Sequence, residues 1–263
     1  MFGNIFRAAA VLALTLLLAA CGPFAGDNRH NVPLPPALLQ RMAQIGSSPA
    51  EPMMVRIYKQ SSELEVWKRT NTGSYALLKT YPICKWSGAL GPKVREGDYQ
   101  SPEGFYDITP ALLNPKSSYY LSFNTGFPNK FDQAWGRTGS YLMVHGDCLS
   151  VGCYAMTDEG IKEIYALARE TFKGGNRSFQ LQALPFRMTE DNLALHAGSP
   201  HAGFWRDLKV GADLFDASRQ PPSWDVCERR YVFNKTAPGA APLDPNGACP
   251  VGGYSTMAAL SGL

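Results

Sequence analysis

The chain has 263 residues, with 25 Lys and Arg against 22 Asp and Glu and a formal net charge of +3. It contains no run of basic residues and no basic stripe interleaved with aromatic residues, so the charge pattern argues against nucleic acid as a partner. With 45% hydrophobic residues, the chain can bury one core of ordinary size, and two full domains are not required.

The N-terminus has the pattern of a secretory signal over residues 1–20. Arg7 precedes an apolar run at residues 8–20 that is too short to cross a bilayer as a helix. The run ends in "LLAAC", which resembles a bacterial lipobox and predicts that Cys21 is lipidated. Gly22, and not Asp, follows this cysteine. The resemblance therefore implies a lipid anchor in the outer membrane that faces the periplasm.

Residues 21–52 are rich in Pro, Ser and Gly and predict mostly a tether, with one apolar stretch at residues 37–45 that can form a helix leaning on the domain. From residue 53 onward, short β-branched and aromatic runs alternate with turn residues. We expect an antiparallel meander from "MMVRIYKQ", "ELEVWKR" and "SYALLKTYPIC", and further strands at "GFYDITP", "SYYLSFN" and "SYLMVHG". The predicted fold class is mainly β, and not a wound α/β sheet.

Helical patterns follow in the second half of the chain. Thr157 is suited to cap a helix whose apolar residues recur at helical spacing until Gly174. A second helical segment is expected near Thr189, and a third in "HAGFWRDLKVGADLF". These patterns predict a main domain at residues 53–188, a helical extension at residues 189–234 and an irregular tail at residues 235–263.

The stretch "MVHGDCLSVGCYAMTD" at residues 143–158 holds the most reactive side chains. A cysteine attacks as its thiolate, and His145 is placed to take the proton of Cys153. Gly152 leaves room for a substrate carbonyl and for backbone N–H groups that hold an oxyanion. Two other hypotheses use the same stretch: a metal site with His145, Cys148 and Cys153 as ligands, or a disulfide between Cys148 and Cys153.

The metal hypothesis lacks the second cluster of closely spaced ligands that structural zinc sites show, so we predict no metal and no other cofactor. A disulfide between Cys148 and Cys153 would leave Cys153, the only well-placed thiol, unable to act as a nucleophile. Of the 6 cysteines, five remain besides Cys21, and an odd number in an oxidising compartment predicts pairs plus one free thiol. We expect four of them to pair, with Cys227 bonded to Cys249 in the turn-rich tail.

At these residues the chain resembles the L,D-transpeptidase catalytic domain of the YkuD type, whose signature is His-Gly followed downstream by Ser-His-Gly-Cys. The matching residues here are His145, Gly146, Ser150, Gly152 and Cys153. The chain is also similar to the YafK-like branch of murein L,D-transpeptidases, through "SGALGPK", "GDYQSPEGFY", "LNPKSSYYLSFNTGFPN", "CYAMTD" and "PFRMT".

The chain departs from this family pattern in three ways. The spacer between the two halves of the signature is short, and Val151 stands in the place of the second histidine. Ala155 stands where other branches have Arg or Asn. Recognition of the substrate carboxylates must then come from elsewhere, and Arg137 and Arg187 are the candidates.

The resemblance implies a β-sandwich catalytic domain at residues 53–188 with flanking helices and a C-terminal extension. It implies that Cys153 is a nucleophile with His145 as its general base. The target is the bond between the L-centre of meso-diaminopimelate and D-alanine in peptidoglycan stem peptides, and the intermediate is a thioester. Gly152 and Ser150 are then expected to shape the oxyanion site together with the Cys153 backbone.

The expected partners are peptidoglycan stem peptides, and the membrane through the lipid anchor. Capture of the thioester by an amine makes the protein a transpeptidase, whereas capture by water makes it a hydrolase. Some YafK-like proteins are associated with detaching the outer-membrane lipoprotein from the wall, so wall-attached lipoprotein is an alternative substrate. A non-catalytic peptidoglycan-binding lipoprotein is a further alternative, but it has no need of a paired base and thiol.

Overall fold

The computed structural model describes residues 27–235 and 240–250. The predicted signal peptide, the predicted lipidation site Cys21 and parts of the predicted tail lie outside these residues. In the described part of the chain, no helix is both long enough and apolar enough to span a membrane.

The strands, in chain order, are β1 (Met53–Tyr58), β2 (Glu63–Arg69), β3 (Tyr75–Pro82), β4 (Gly104–Ile108), β5 (Leu113–Asn114), β6 (Ser122–Asn124), β7 (Met143–His145), β8 (Tyr154–Ala155), β9 (Phe179–Leu184), β10 (Trp224–Cys227) and β11 (Arg230–Phe233). The helices are α1 (Pro36–Gln44), α2 (Lys130–Ala134), α3 (Asp158–Lys173), α4 (Glu190–Leu195) and α5 (Ala202–Ser218). Two 3-10 turns lie at Arg29–Asn31 and Pro110–Leu112.

A five-stranded sheet has the order β3-β2-β1-β9-β4. The meander β1-β2-β3 is antiparallel, as predicted, with Val55 opposite Val66. Strand β9 was not predicted, although it lies in the sheet parallel to β1 and antiparallel to β4. Its polar residues Gln180 and Gln182 do not fit the pattern of a buried strand. Both are nevertheless buried, because they are bonded to each other and to further partners such as Arg56.

A four-stranded sheet, β5-β6-β7-β8, holds the predicted site. Strand β7 pairs antiparallel with β6, which places His145 opposite Ser122, and parallel with β8, which places His145 opposite Ala155. Ala155 also forms a bridge with Lys85, just beyond the end of β3. The segment after β3 therefore lies beside the strand that carries the predicted nucleophile.

The main hydrophobic core lies between the two sheets and α3. It contains, among others, Val55, Val66, Phe123, Val144, Tyr154, Ile164 and Leu181. A second, aromatic core lies under α5 and the β10-β11 pair, and includes Phe105, Phe131, Trp205, Phe215, Tyr231 and Phe233. The mainly β class with flanking helices is thereby confirmed.

The predicted helices are confirmed, and their caps explain where they start. The Thr157 side chain accepts the Gly160 N–H at the start of α3, and the Thr189 side chain accepts the Asn192 N–H at the start of α4. Helix α5 is the third predicted helix. After α5 the expected helical extension ends in the β10-β11 hairpin, which the sequence did not reveal.

The hairpin escaped prediction because its two turn residues, Glu228 and Arg229, both adopt positive φ, of 49° and 55°. Two-residue turns with positive φ usually contain Asn-Gly or Asp-Gly, and neither dipeptide is present here. The helix expected at residues 37–45 of the predicted tether is present as α1, and it leans on the domain as expected. Leu38 and Met42, four residues apart on α1, are buried in the main core, so the described part of that segment packs on the domain.

Candidate active site

His145 ends strand β7, and its side chain is only 2% exposed. Its ring lies against Tyr119, with 4.7 Å between the ring centroids. Its Nδ1 is 2.5 Å from the carbonyl oxygen of Gly146. Because a carbonyl only accepts hydrogen bonds, we assign the proton to Nδ1, which leaves the Nε2 lone pair to act as a base. Burial lowers the pKa of His145, so the imidazole is neutral at neutral pH.

Cys153 directly precedes β8, and its Sγ is 3.3 Å from the Met143 N–H of the neighbouring strand. The thiol lies 3.5 Å from the Tyr141 carbonyl oxygen, to which it donates. Because His145 pairs with Ala155 in the parallel register, continuing this register by one pair places Cys153 beside Met143, on the same face of the sheet as His145.

The thiol is protonated in the resting site. Burial raises the pKa of Cys153, while the Met143 N–H and the charge of Lys93 oppose this effect. A neutral thiol on the same face of the sheet as a neutral imidazole needs a general base before the sulfur can attack, and His145 is the candidate for that base.

Three hydroxyl groups, of Ser87, Ser101 and Ser150, form what we call the serine cluster. The Cys153 carbonyl accepts from Ser150 Oγ at 2.7 Å and from Ser101 Oγ at 3.0 Å. Ser87 Oγ lies 3.2 Å from Ser150 Oγ and accepts the Gly152 N–H. Ser150 therefore fixes the backbone of Cys153 by holding its carbonyl oxygen.

This network narrows the prediction for the oxyanion site. The Gly152 N–H is occupied by Ser87, whereas the Cys153 N–H has no acceptor within residues 27–235 and 240–250. The Cys153 N–H is thus the backbone donor next to the thiol that remains available to a developing oxyanion. Gly152 has a φ of +109°, and a Cβ there would lie 3.1 Å from the Leu142 side chain, so a glycine is required at this position.

The spacer between His145 and Cys153 is held by polar contacts. Asp147 and Cys148 adopt positive φ, of 68° and 46°. The Asp147 N–H donates to Asp158 Oδ1 at 3.0 Å, at the start of α3. A Cβ on Gly146 would lie 2.4 Å from the same Asp158 oxygen, so the close approach of helix and spacer depends on this glycine.

Two disulfides are present, Cys84–Cys148 and Cys227–Cys249, and Cys153 is the free cysteine of the described residues. The expected pairing of four cysteines, including Cys227 with Cys249, is confirmed. The hypothesis of a Cys148–Cys153 bond is wrong, because Cys148 bonds to Cys84, 64 residues away. Cys84 lies beside the spacer because its N–H donates to the carbonyl of Ala155 in β8.

The same disulfide removes Cys148 from the metal hypothesis, since a disulfide sulfur is not a thiolate ligand. Within the part of the chain that the structure describes, no group of three or more His, Cys, Asp or Glu side chains is arranged to hold a metal ion.

The two arginines considered for substrate binding have other partners. Arg137 is bound to Asp132 at 2.8 Å, and its guanidinium lies over the Phe131 ring. Arg187 is bound to Glu63 at 2.8 Å and to Glu65 at 3.1 Å. Neither arginine is therefore a free cation beside the thiol.

Sequence reasoning missed three residues from distant parts of the chain. Tyr119 contacts His145, Ser101 contacts the Cys153 carbonyl, and Ser87 contacts the neighbouring Gly152. Tyr119 lies in "LNPKSSYYLSFN", a stretch already noted for its resemblance, and this was the available signal. Val151, at the place of the family's second histidine, is 71% exposed. A surface valine cannot donate or accept a proton, so Val151 cannot take the role of that histidine.

Comparison with known proteins gives a consistent picture. The model of the YkuD family, the L,D-transpeptidase catalytic domain, matches residues 48–174. The chain is 42% identical over 224 residues to the candidate L,D-transpeptidase YafK of Escherichia coli (strain K12), covering 85% of this chain and 89% of that protein. The YafK protein of Escherichia coli O157:H7 matches to the same extent.

Among solved structures, the helical cell shape determining protein Pgp2 of Campylobacter jejuni is 20% identical. The match covers 67% of this chain and 63% of that one, with a TM-score of 0.42. Bd1075 of Bdellovibrio bacteriovorus is 23% identical over 54% of this chain and 51% of its own, with a TM-score of 0.37.

Proposed function

Because the chain belongs to the L,D-transpeptidase family, we propose that it is a cysteine acyltransferase that acts on peptidoglycan stem peptides. The observation that carries this proposal is the free thiol of Cys153 on the same face of the sheet as the oriented imidazole of His145. A module that only binds peptidoglycan has no use for this pair.

In the first step, His145 Nε2 takes the thiol proton and the sulfur of Cys153 attacks the carbonyl carbon of the stem-peptide bond. The Cys153 N–H stabilises the negative charge that develops on the carbonyl oxygen. The C–N bond then breaks, and the protonated His145 returns the proton to the leaving amine. The product is a thioester on Cys153 and free D-alanine.

The second step decides the reaction class. An amine that attacks the thioester makes a new amide bond and frees the thiol, which is transpeptidation. Water in its place releases an acid, and a hydrolase acting on wall-linked lipoprotein is the alternative. The short spacer favours access of water to the thioester. The Cys84–Cys148 bond restrains the spacer, and Val151 in the spacer and Tyr141 before it are 71% and 77% exposed.

We further propose that the protein is anchored at the outer membrane through a lipid on Cys21 and works in the periplasm. The lipobox-like "LLAAC" and two disulfides support an oxidising compartment outside the cytoplasm. Mass spectrometry of the mature protein is expected to find diacylglycerol on Cys21. A mature protein that starts at another residue contradicts the anchor.

The reaction is tested by incubating the full-length protein with isolated sacculi, tetrapeptide muropeptides and lipoprotein-linked muropeptides, with Cys153→Ala as the control. New diaminopimelate cross-links that depend on Cys153 identify the transferase. Free lipoprotein without new cross-links identifies water as the acceptor. Binding without any Cys153-dependent product contradicts the enzymatic proposal and leaves the peptidoglycan-binding lipoprotein.

A further inference from the structure

A fully buried ion pair lies behind the nucleophile. Lys59 follows β1, Glu103 precedes β4, and both side chains are 0% exposed. The Lys59 Nζ is 3.0 Å from Glu103 Oε1. Taking two charges out of water is costly, and a buried pair persists only where its remaining hydrogen-bonding groups are also satisfied.

Apart from the Trp205 indole, those further partners belong to two segments, residues 87–91 and 100–103. The Lys59 ammonium donates to the carbonyl oxygens of Ala89, Gly91 and Ser101, at 2.8, 3.0 and 3.0 Å. Glu103 accepts the Gly91 N–H at 2.8 Å and the indole N–H of Trp205 at 2.8 Å. Without the ammonium, the Ser101 carbonyl would lose its donor, and the Ala89 and Gly91 carbonyls would keep only the Gln100 side-chain amide as a donor.

The same two segments hold the backbone of the nucleophile. The Ser101 carbonyl accepts a hydrogen bond from the Lys59 ammonium, and the Ser101 hydroxyl donates one to the Cys153 carbonyl. The Ser101 N–H donates to the Ser87 carbonyl at 3.0 Å, and Ser87 accepts the Gly152 N–H. One residue, Ser101, therefore separates the buried charge from the peptide group of Cys153.

We propose that the Lys59–Glu103 ion pair positions the nucleophile, acting through Ser101 and Ser87 to hold Cys153 where His145 reaches its thiol. Lys59 and Glu103 touch neither substrate nor thiol and are positioning residues. The inference rests on the proposed function only in taking Cys153 as the nucleophile and His145 as its base.

A buried charge can also serve stability alone, and the chain offers a matched control for that role. Lys68 on β2 is likewise 0% exposed. Its ammonium donates to the backbone carbonyls of Pro49 and Glu51 and to the Thr171 hydroxyl. None of these groups belongs to the serine cluster, so Lys68→Met removes a comparable buried ammonium away from the site.

The test measures alkylation of Cys153 by iodoacetamide as a function of pH, in the full-length protein, by mass spectrometry of the Cys153 peptide. The His145-dependent part of the rate is obtained by comparison with His145→Ala. The variants are Lys59→Met, the charge-free double variant Lys59→Met/Glu103→Gln, and the milder Ser101→Ala, which keeps the carbonyl that Lys59 binds. Circular dichroism and unfolding curves select conditions in which each variant is folded.

We expect Lys59→Met, or the double variant if the single one does not fold, to lose the His145-dependent rate by on the order of tenfold or more. Ser101→Ala is expected to lose part of it, and Lys68→Met none. The inference is overturned if the folded Lys59 variants and Ser101→Ala retain the profile of the unmodified protein, or if Lys68→Met loses the rate equally. Because alkylation needs no peptidoglycan, this outcome is distinguishable from a failure of the proposed reaction.

Discussion

The spacer at residues 146–152 and the β10-β11 hairpin use similar parts and are held by different forces. Each contains two consecutive non-glycine residues with positive φ, and each is fixed by one disulfide. The hairpin also buries apolar side chains, because Tyr231 and Phe233 pack on Phe105 in the aromatic core. In the spacer, Leu149 and Val151 are 59% and 71% exposed.

The difference teaches where a local change will be felt. A hairpin anchored by apolar burial resists the loss of one contact, and such a loss lowers the stability of the fold. The spacer is held by a disulfide and hydrogen bonds, and it buries little apolar area that could keep it in place if one of them were lost. We expect a lost contact there to move His145 relative to Cys153, so the effect is expected in the reactivity of Cys153.

The largest effect is expected from Cys153→Ala, which removes the proposed nucleophile itself. Thioester formation on the protein should be abolished while the unfolding curve remains close to that of the unmodified protein, because the Cys153 carbonyl and its serine partners are unchanged. Intact-mass measurement after incubation with a muropeptide or a thiol-reactive carbapenem checks this. An acyl adduct that persists in the variant contradicts the assignment of the nucleophile.

The two disulfides give the sharpest comparison, through the double variants Cys84→Ala/Cys148→Ala and Cys227→Ala/Cys249→Ala. Chain-entropy estimates give a stability loss of about 4 kcal/mol for the first bond and about 3 kcal/mol for the second, since the first closes the longer loop. We expect the first double variant to slow Cys153 acylation strongly, and the second to leave it unchanged in the folded protein.

Urea unfolding and acylation rates, measured on the same samples, separate the two effects. If removal of Cys227–Cys249 slows acylation as much as removal of Cys84–Cys148, the two regions do not differ as described.

An intermediate effect is expected from pH. Burial raises the pKa of the Cys153 thiol and lowers that of His145, so a thiolate–imidazolium pair is disfavoured at neutral pH. The alkylation rate of Cys153 should therefore still rise above the ordinary thiol pKa of about 8.5. His145→Ala should reduce the rate chiefly near neutral pH, where a base is needed. A rate that is already constant below pH 7 would show a preformed thiolate and contradict this expectation.

The smallest effect on the chemistry is expected from Tyr231→Phe in the hairpin. The Tyr231 hydroxyl oxygen accepts from Asn129 Nδ2 at 2.8 Å and from the Phe105 N–H at 3.3 Å, and all three groups are buried. Removing the oxygen leaves donors unsatisfied, so the free energy of unfolding should fall by about 1–3 kcal/mol. Acylation of Cys153 should not change, and a slower rate in the folded variant would link the hairpin to the site.

Much of the fold could be predicted, because its signals are local. The meander at residues 53–82 alternates strand runs with turn residues, and Thr157 and Thr189 are recognisable caps. The failures are equally physical. Strand β9 carries buried glutamines whose partners are distant in sequence, and the β10-β11 turn places Glu228 and Arg229 where glycine or asparagine is usual.

The sequence by itself predicted the thiol, the base and the glycine between them, because side-chain identity and short spacing are enough to single out His145, Gly152 and Cys153 as a candidate reactive set. It also shows that five cysteines remain besides Cys21, and this odd number predicts pairs plus one free thiol.

Only the tertiary structure decided which cysteine that is and which groups serve it. Cys84 meets Cys148 because β8 bridges to the segment after β3. The Gly152 N–H is occupied because Ser87 lies against it, and the buried charge of Lys59 reaches Cys153 only through Ser101. Each of these contacts joins residues more than 40 positions apart. No local sequence pattern encodes contacts between residues so far apart in the chain, since these contacts result from the packing of the two sheets as a whole.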